Sequence, residues 1–428
     1  VRLAEQLLRP ATYLPSIARA VDAFAYRRPA DAALLRRDPA AVATRLARAM
    51  AAGVWQHEPA RRRVFQLDKP RSLVDLGTLD RIVHGTVARL LGEQFEPRYS
   101  RHLYSYRRGR TREHVVEELL ALAAVARRTQ PDVRTRGLWV LRFDVARYTD
   151  CIPLTDASAL WRQLAAWAPD EPPWVYAMLR DLTRCASVGE FADRGTPTGS
   201  PLCNVLLNLY LTDLDAELVP RCDAYLRFGD DVTIVAASAA AADQRLAEVQ
   251  AHLAGKALAI NEAKLERIYW NGGAAEAPAA ERAAGWRGQR YFRFVGYDLS
   301  FLGEQRPKTP RRRAVLAAVA TRLRAVARAL PADASVAARA DALCEAAAVL
   351  LDPSSPLAVT SVGALVRATS CRTQLAELDR ELALIVASLA AGVGGPKAFR
   401  AMPWRALRAR GLPSLTVLRN RGRQAAAP

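Results

Sequence analysis

YLRFGDDVTIVA, residues Tyr225 to Ala236, sets two aspartates side by side between two short apolar runs in a chain carrying 62 lysines and arginines. Adjacent carboxylates disfavour each other's ionisation, so Asp230 and Asp231 must be solvated, neutralised by basic neighbours or bound to a cation. Tyr225, Leu226 and Phe228 on one side and Val232, Ile234 and Val235 on the other are strand-forming residues, and the turn signal between them predicts a β-hairpin. Gly229 followed by Asp230 suits the central pair of a type II′ turn, whose first residue needs a positive φ. Both carboxylates then project at a tight tip.

The 428 residues are 51% hydrophobic and 25% charged, which is globular composition long enough for two or three domains. A formal net charge of +19 points to a polyanionic partner, although arginine and alanine are abundant throughout. The 6 cysteines are scattered without a C-x-x-C pair and with few histidines nearby, so they read as reduced structural thiols and not as zinc ligands or a disulfide framework. The longest apolar run, Leu382 to Val393, is too short to span a bilayer. No signal-peptide pattern opens the chain, the first residue being Val1, and the expected compartment is the cytoplasm.

Residues 1 to about 60 alternate apolar and basic positions at helical spacing. A helix is expected from near Asp80, with Val83, Val87, Leu90 and Leu91 on one face. The loop YSYRRGRT leads to a helix from Glu113 to about Arg128 and then to the strand GLWVLRFDV. There Val140, Arg142 and Asp144 share one face, Trp139, Leu141, Phe143 and Val145 the other, and Asp144 ends the strand. Helices over Thr155–Trp167 and Pro173–Cys185 precede RGTPTGSPLCNVLLNLYLTDLDAEL, a glycine-proline loop opening an apolar helix. After the hairpin come a helix from Ala240 to about Gly255, the segment ALAINEAKLERIYW and a strand pair around YFRFVGYDLS. Beyond a boundary near residue 303 the pattern is helical. Thr309 and Pro310 read as N-cap and first-turn residues of a helix bearing Arg311, Arg312, Arg313, Arg322, Arg324 and Arg328.

Asp144, Asp230 and Asp231 each end a strand or tip the hairpin, and neighbouring antiparallel strands would bring them to one sheet edge. Three carboxylates so placed suit two Mg²⁺ ions about 3.5–4 Å apart. Mg²⁺ is a hard cation that prefers oxygen and often uses one or two carboxylates together with substrate phosphates.

The order of motifs resembles the reverse transcriptases, specifically the bacterial enzymes related to group II intron, retron and phage-defence proteins. FDVARYTDCI is similar to the first palm motif, RGTPTGSPLCNVLLNLYLTDLD to the GxPQGSP loop and helix, and FGDD to the YxDD hairpin. LAINEAKLE is similar to L-x-L-N-x-x-K, FVGYDL to the primer-grip strand, and DKPRSL and YSYRRGRT to the fingers motifs. Together they cover about residues 65 to 300.

The resemblance implies an α+β right-hand polymerase. Helical and β fingers would occupy 1–135, an antiparallel-sheet palm 136–303 with a fingers insertion at about 155–190, and a helical thumb or C-terminal domain 304–428. It implies that Asp144, Asp230, Asp231 and the backbone of Val145 hold two Mg²⁺ ions, with Mn²⁺ as a substitute, and that Lys264 protonates the leaving pyrophosphate. Lys69 and Arg71 would hold the triphosphate, and Tyr148, Thr149, Thr198 and Gly199 would line the nucleotide pocket. Arg107, Arg108 and Arg110 would track template phosphates, and Gly199 and Ser200 would meet the templating pair. Phe294, Gly296 and Tyr297 would form the primer grip, and Arg311, Arg312 and Arg313 would either grip a duplex or form a solvated face.

Three positions depart from the family pattern. Thr149 replaces the usual aromatic residue beneath the incoming sugar, Thr198 replaces the glutamine of GxPQGSP, and Phe228 replaces the tyrosine of YxDD. The expected activity is RNA-directed DNA synthesis from dNTPs on an RNA template, read as a dedicated non-coding RNA, with a DNA product and no membrane. A homo-oligomer or a companion protein is compatible with this. No His-Cys nuclease pattern follows the thumb, which favours the defence-associated and abortive-infection group. Two alternatives stay open: a template-independent or ribonucleotide-using nucleotidyltransferase, and a non-catalytic nucleic-acid-binding partner on the same fold.

Overall fold

The computed structural model describes residues 2–24, 28–58, 60–66, 70–133, 135–187, 189–273, 276–352, 354–367 and 369–419. The chain divides into two compact units, Val1–Arg112 with Trp139–Arg267 and Glu113–Leu138 with Ile268–Pro428. The divisions fall after Arg112, Leu138 and Arg267, against boundaries expected near residues 135 and 303. The segment Glu113–Leu138 and the strands after Ile268 group with the C-terminal helices.

In the first unit, strands β1 (Arg61–Gln66) and β2 (Pro70–Asp75) form an antiparallel pair. The helix Thr78–Phe95 follows and buries Val83, Val87, Leu90 and Leu91, the face read from the sequence. Strand β3 (Gly137–Asp144) pairs antiparallel with β5 (Asp231–Ala236), which pairs on its other edge with β4 (Ala224–Phe228). Val140, Leu141, Phe143, Val232, Ile234 and Val235 are all fully buried, so these strands are covered on both faces and do not show apolar-polar alternation. The helix expected from Thr155 starts four residues later, at Ala159, because the Ser158 hydroxyl caps it by accepting the Leu160 amide. The apolar helix Pro201–Tyr210 and the helix Ala239–Gly255 complete the frame around the hairpin.

The turn joining β4 to β5 has two residues, since Phe228 lies opposite Asp231. Gly229 takes φ +71° while Asp230 does not adopt a positive φ, which is the type II′ pattern.

In the second unit, β6 (Glu266–Asn271), whose first two residues belong to the other unit, pairs in parallel with β7 (Arg287–Gln289). Strands β8 (Tyr291–Phe294), β9 (Tyr297–Ser300) and β10 (Gln305–Pro307) form an antiparallel sheet in the order β10-β9-β8. The helices Thr309–Ala329, Val336–Leu351 and Arg372–Ala391 then pack around Leu323, Leu343, Leu378 and Val386. Thr309 is not the cap of the arginine-rich helix. Lys308 holds that position without a side-chain capping bond, and Thr309 and Pro310 form the first turn. Among the described residues no single helix is long and apolar enough to cross a membrane.

Candidate active site

The register of β3, β5 and β4 places Asp144 and Phe228 on either side of Asp231. Two backbone bonds hold the strand ends in place. The Val145 amide donates to the Asp230 carbonyl at 3.2 Å, and the Asn261 amide donates to the Asp144 carbonyl at 2.8 Å. Asp144, Asp230, Asp231 and Lys264 therefore converge on one edge of the sheet.

Each carboxylate has a different environment. Asp144 is buried at 8% exposure; one oxygen is ion-paired with the Lys264 ammonium, and Oδ1 is buried without a hydrogen-bond partner. Asp231 accepts from Arg142 at 3.3 Å, and the same guanidinium holds Glu266 at 3.1 Å. Asp230 is exposed at the tip, but protein crowding around its carboxyl, and then the Asp231 and Asp144 charges, raise its pKa. Burial likewise raises Asp231, against the opposing pull of Arg142.

The hairpin rests on a buried ionic foot that the sequence reading missed. Arg227, with no solvent exposure, donates from Nε and Nη2 to both oxygens of Asp215 at 2.6 Å each, and the Tyr225 hydroxyl donates to the same carboxylate at 2.8 Å. Above it, the Gly229 amide donates to the Ser105 hydroxyl at 2.8 Å, which donates in turn to Asn208 Oδ1 at 3.0 Å. The loop that carries Ser105 and the turn that carries Asp230 are thus joined directly. One sequence signal pointed this way: an arginine inside the otherwise apolar strand YLRF requires a buried partner.

The donors at this edge are all oxygen, the Asp144 Oδ1 atom lacks a partner, and two neighbouring carboxyls are held above their usual range. A hard divalent cation satisfies each of these conditions. Lys264 is the positive charge that meets Asp144 in their present arrangement. The three aspartates do not by themselves form a closed three-ligand cage. Among the described residues, only His57, His84 and Cys185 bring three ligand atoms within 4.8 Å of one another.

Residues 55–299 match the family model described as reverse transcriptase (RNA-dependent DNA polymerase). The chain belongs to the reverse transcriptase family. Similarity to solved structures is distant. Telomerase from Candida albicans with a TWJ fragment of telomeric RNA is 10% identical, at 86% coverage of this chain, 66% of that chain and a TM-score of 0.43. Telomerase from Candida Tropicalis with the same kind of fragment is 12% identical, at 86% and 61% coverage and a TM-score of 0.45. A partial Cas6-RT-Cas1–Cas2 complex is 19% identical, at 59% and 43% coverage and a TM-score of 0.32. The chain thus spans less than two thirds of the length of each. No curated protein sequence matches it.

In this reverse transcriptase the nucleotide-pocket candidates fall into two groups. The Thr198 carbonyl accepts the Val74 amide at 2.7 Å, and Gly199 takes φ +97° with its missing Cβ facing Leu73 at 3.3 Å, so this loop is laid along β2. Thr149 is half-buried, and its carbonyl accepts the Thr196 amide at 2.8 Å. Tyr148 is different: it is buried at 2% exposure and its hydroxyl donates to the Leu207 carbonyl at 2.6 Å. A ring locked in this way does not line an open sugar pocket, which corrects the expectation for Tyr148. Lys69 lies outside the described residues, and Arg71 is described only through its backbone, opposite Phe65 in the β1–β2 pair.

Several expected nucleic-acid contacts are also corrected by burial. Arg107 is 6% exposed and bound to Glu96 and to the Ser100 and Leu103 carbonyls, so its guanidinium is used within the fold. Arg108 is exposed, and Arg110 lies over the Tyr104 ring at 5.7 Å. Ser200 is buried, caps the Pro201–Tyr210 helix and bonds His84 Nδ1 at 2.6 Å. Phe294 and Tyr297 are fully buried partners across the β8–β9 turn, where Val295 and Gly296 both take positive φ, and neither ring is free to stack on a base. Arg311 pairs with Glu113, and Arg312 pairs with Glu377 at 2.7 Å; Arg313 is exposed. The partners of Ser200, Arg311 and Arg312 (His84, Glu113 and Glu377) lie far away in sequence, which a motif does not display.

Proposed function

We propose that this reverse transcriptase is an active polymerase that extends a DNA strand on an RNA template with Mg²⁺, for which Mn²⁺ can substitute. The observation that carries the reading is the edge formed by Asp144, Asp230 and Asp231, where the buried Asp144 Oδ1 atom has no hydrogen-bond partner and crowding together with the neighbouring carboxylates raises the pKa of Asp230. Asp144 and Asp230 are the carboxylates that would hold the ions, and Arg142 keeps Asp231 oriented beside them. Bound divalent ions would supply a lowered pKa for an attacking hydroxyl and neutralise triphosphate oxygens. Lys264, 54% exposed beside Asp144, would give a proton to the departing pyrophosphate. The net charge of +19 suits a nucleic-acid partner. A cytoplasmic, defence-associated role with a dedicated RNA template is the biological setting we favour.

A ribonucleotide-using variant of the same activity is favoured by one observation. The position beneath the sugar is Thr149, and the neighbouring Tyr148 ring is locked to Leu207. The test is primer extension by the purified full chain on an RNA template, with dNTPs or rNTPs, with Mg²⁺ or EDTA. Metal-dependent synthesis that disappears in the Asp230→Asn variant supports the polymerase. Its absence on every template tried, or its persistence in that variant, defeats it.

A further inference from the structure

The geometry points to a second metal site, of the zinc class, formed by His57, His84 and Cys185 behind the loop that carries Gly199 and Ser200. The three residues are remote in sequence, so no spacing motif marks them and the cysteine reads from sequence as a plain structural thiol. The fold brings them together: His57 precedes β1, His84 lies within the helix Thr78–Phe95, and Cys185 caps the C-terminal end of the helix Pro173–Arg184. Their ligand atoms lie within 4.8 Å of one another.

The orientation of the two imidazoles is the stronger observation. Their Nε2 atoms face each other at 3.0 Å, while both Nδ1 atoms are turned outward to oxygen. His57 Nδ1 contacts the Glu58 carbonyl at 2.5 Å and lies 3.6 Å from Asp80 Oδ2; His84 Nδ1 contacts the Ser200 hydroxyl at 2.6 Å. Metal-bound histidines characteristically donate their second ring N–H to a carbonyl, carboxylate or other oxygen, which fixes the tautomer and aims the free nitrogen at the ion. Two nitrogens bound to one tetrahedral zinc at about 2.0–2.1 Å would stand about 3.3 Å apart, a small opening from the present contact.

Chemistry and burial agree with this choice. His84 is fully buried. Binding would form an S–Zn bond as the S–H proton of Cys185 leaves to solvent. Nitrogen and sulfur ligands select zinc-class ions over Mg²⁺, which separates this site from the carboxylate edge. Through Ser200, which also caps the Pro201–Tyr210 helix, such an ion would pin the start of β1 and two helices to the second palm loop.

The test uses the full chain stripped with EDTA and desalted, titrated with Zn²⁺ and separately with Co²⁺ in the absence of Mg²⁺. Expected are one zinc per chain by mass spectrometry and a thiolate-to-cobalt charge-transfer band. Both should persist in the Asp144→Asn/Asp230→Asn protein, which lacks the carboxylate pair. Loss of even an outer partner weakens metal sites by about 10–100-fold, so Cys185→Ser and His57→Gln should weaken zinc by at least that much, and Cys185→Ser should abolish the charge-transfer band. Circular dichroism identifies any variant that fails to fold, and the milder His57→Gln then decides. No zinc retained by the wild type, or equal affinity in wild type and the folded variants, overturns the site.

Discussion

Arg227 and Asp215 form a two-branched ion pair with 0% and 1% side-chain exposure beneath the hairpin that carries Asp230 and Asp231. The same guanidinium also donates to the Asn208 and Gly229 carbonyls, at 3.1 and 3.3 Å. A charge held this deeply is tolerated only while every one of its partners remains. Replacing Asp215 with Asn should therefore destabilise the protein by about 3–5 kcal/mol, because Arg227 is left uncompensated. Chemical denaturation followed by circular dichroism measures this. A loss below about 1 kcal/mol would mean that water replaces the carboxylate.

The carboxylate edge should oppose folding until a cation arrives. Asp230 and Asp231 have folded pKa values raised above the usual range, so their penalty is absent in acid, below the unfolded pKa, grows as pH rises through the folded pKa and is full at neutral pH. In EDTA at neutral pH, Asp230→Asn should melt higher than wild type, and the two should converge as the pH falls to about 4. Mg²⁺ at a hundredfold its Kd should then add about 2.7 kcal/mol to the wild type and much less to the variant. Scanning fluorimetry with and without Mg²⁺ reads both effects. A wild type more stable than Asp230→Asn in EDTA contradicts them.

Lys264 should both compete with and assist a bound metal. Its ammonium occupies one oxygen of Asp144, so Lys264→Ala should lower the Mg²⁺ concentration needed for half-maximal activity. The same change should reduce the maximal rate by about 10²-fold or more if the lysine is the proton donor. Rates measured across a Mg²⁺ titration separate the two effects. An unchanged maximum with tighter Mg²⁺ leaves only the electrostatic role.

Selectivity at the sugar should depend on Thr149. Thr149→Phe should suppress ribonucleotide use more than deoxynucleotide use, by on the order of a hundredfold for a steric clash. Tyr148→Phe removes a hydroxyl that already bonds Leu207, so it should cost about 1 kcal/mol of stability and leave selectivity unchanged. Matched single-nucleotide extensions decide the point. Relaxed selectivity in Tyr148→Phe would assign the gate to Tyr148.

The two neighbouring arginines of the fingers loop should separate cleanly. Arg108→Ala should lower the log-log salt slope of RNA binding by about 0.7–0.9, the value of one phosphate contact. Arg107→Ala should leave that slope unchanged and lower stability, because its guanidinium bonds Glu96 and two carbonyls. Fluorescence anisotropy over a salt series distinguishes them, and a reduced slope in Arg107→Ala would place the template on that side chain.

The sequence made the hairpin legible because everything that specifies it is local: two β-rich runs, a glycine able to take positive φ and a two-residue turn. The strand ending in Asp144 was legible for the same reason. What holds them was not. Asp215 lies on a different helix from the strand of Arg227, and Ser105 reaches Gly229 across 124 residues of sequence. Phe294, Tyr297 and Ser200 match motif positions but are buried, and burial is set by the packing around them, which a motif does not encode. Conversely, His57, His84 and Cys185 carry no motif, yet the fold assembles them.

The bond from the Gly229 amide to Ser105 has a consequence for anyone exchanging parts between related enzymes. A hairpin transplanted alone would arrive with the first amide of its turn facing whatever residue the host loop offers, and a loop transplanted alone would leave the resident turn without its acceptor. Residues 100–110 and 224–236 therefore form one inheritable module, and chimeras should be cut outside both segments together.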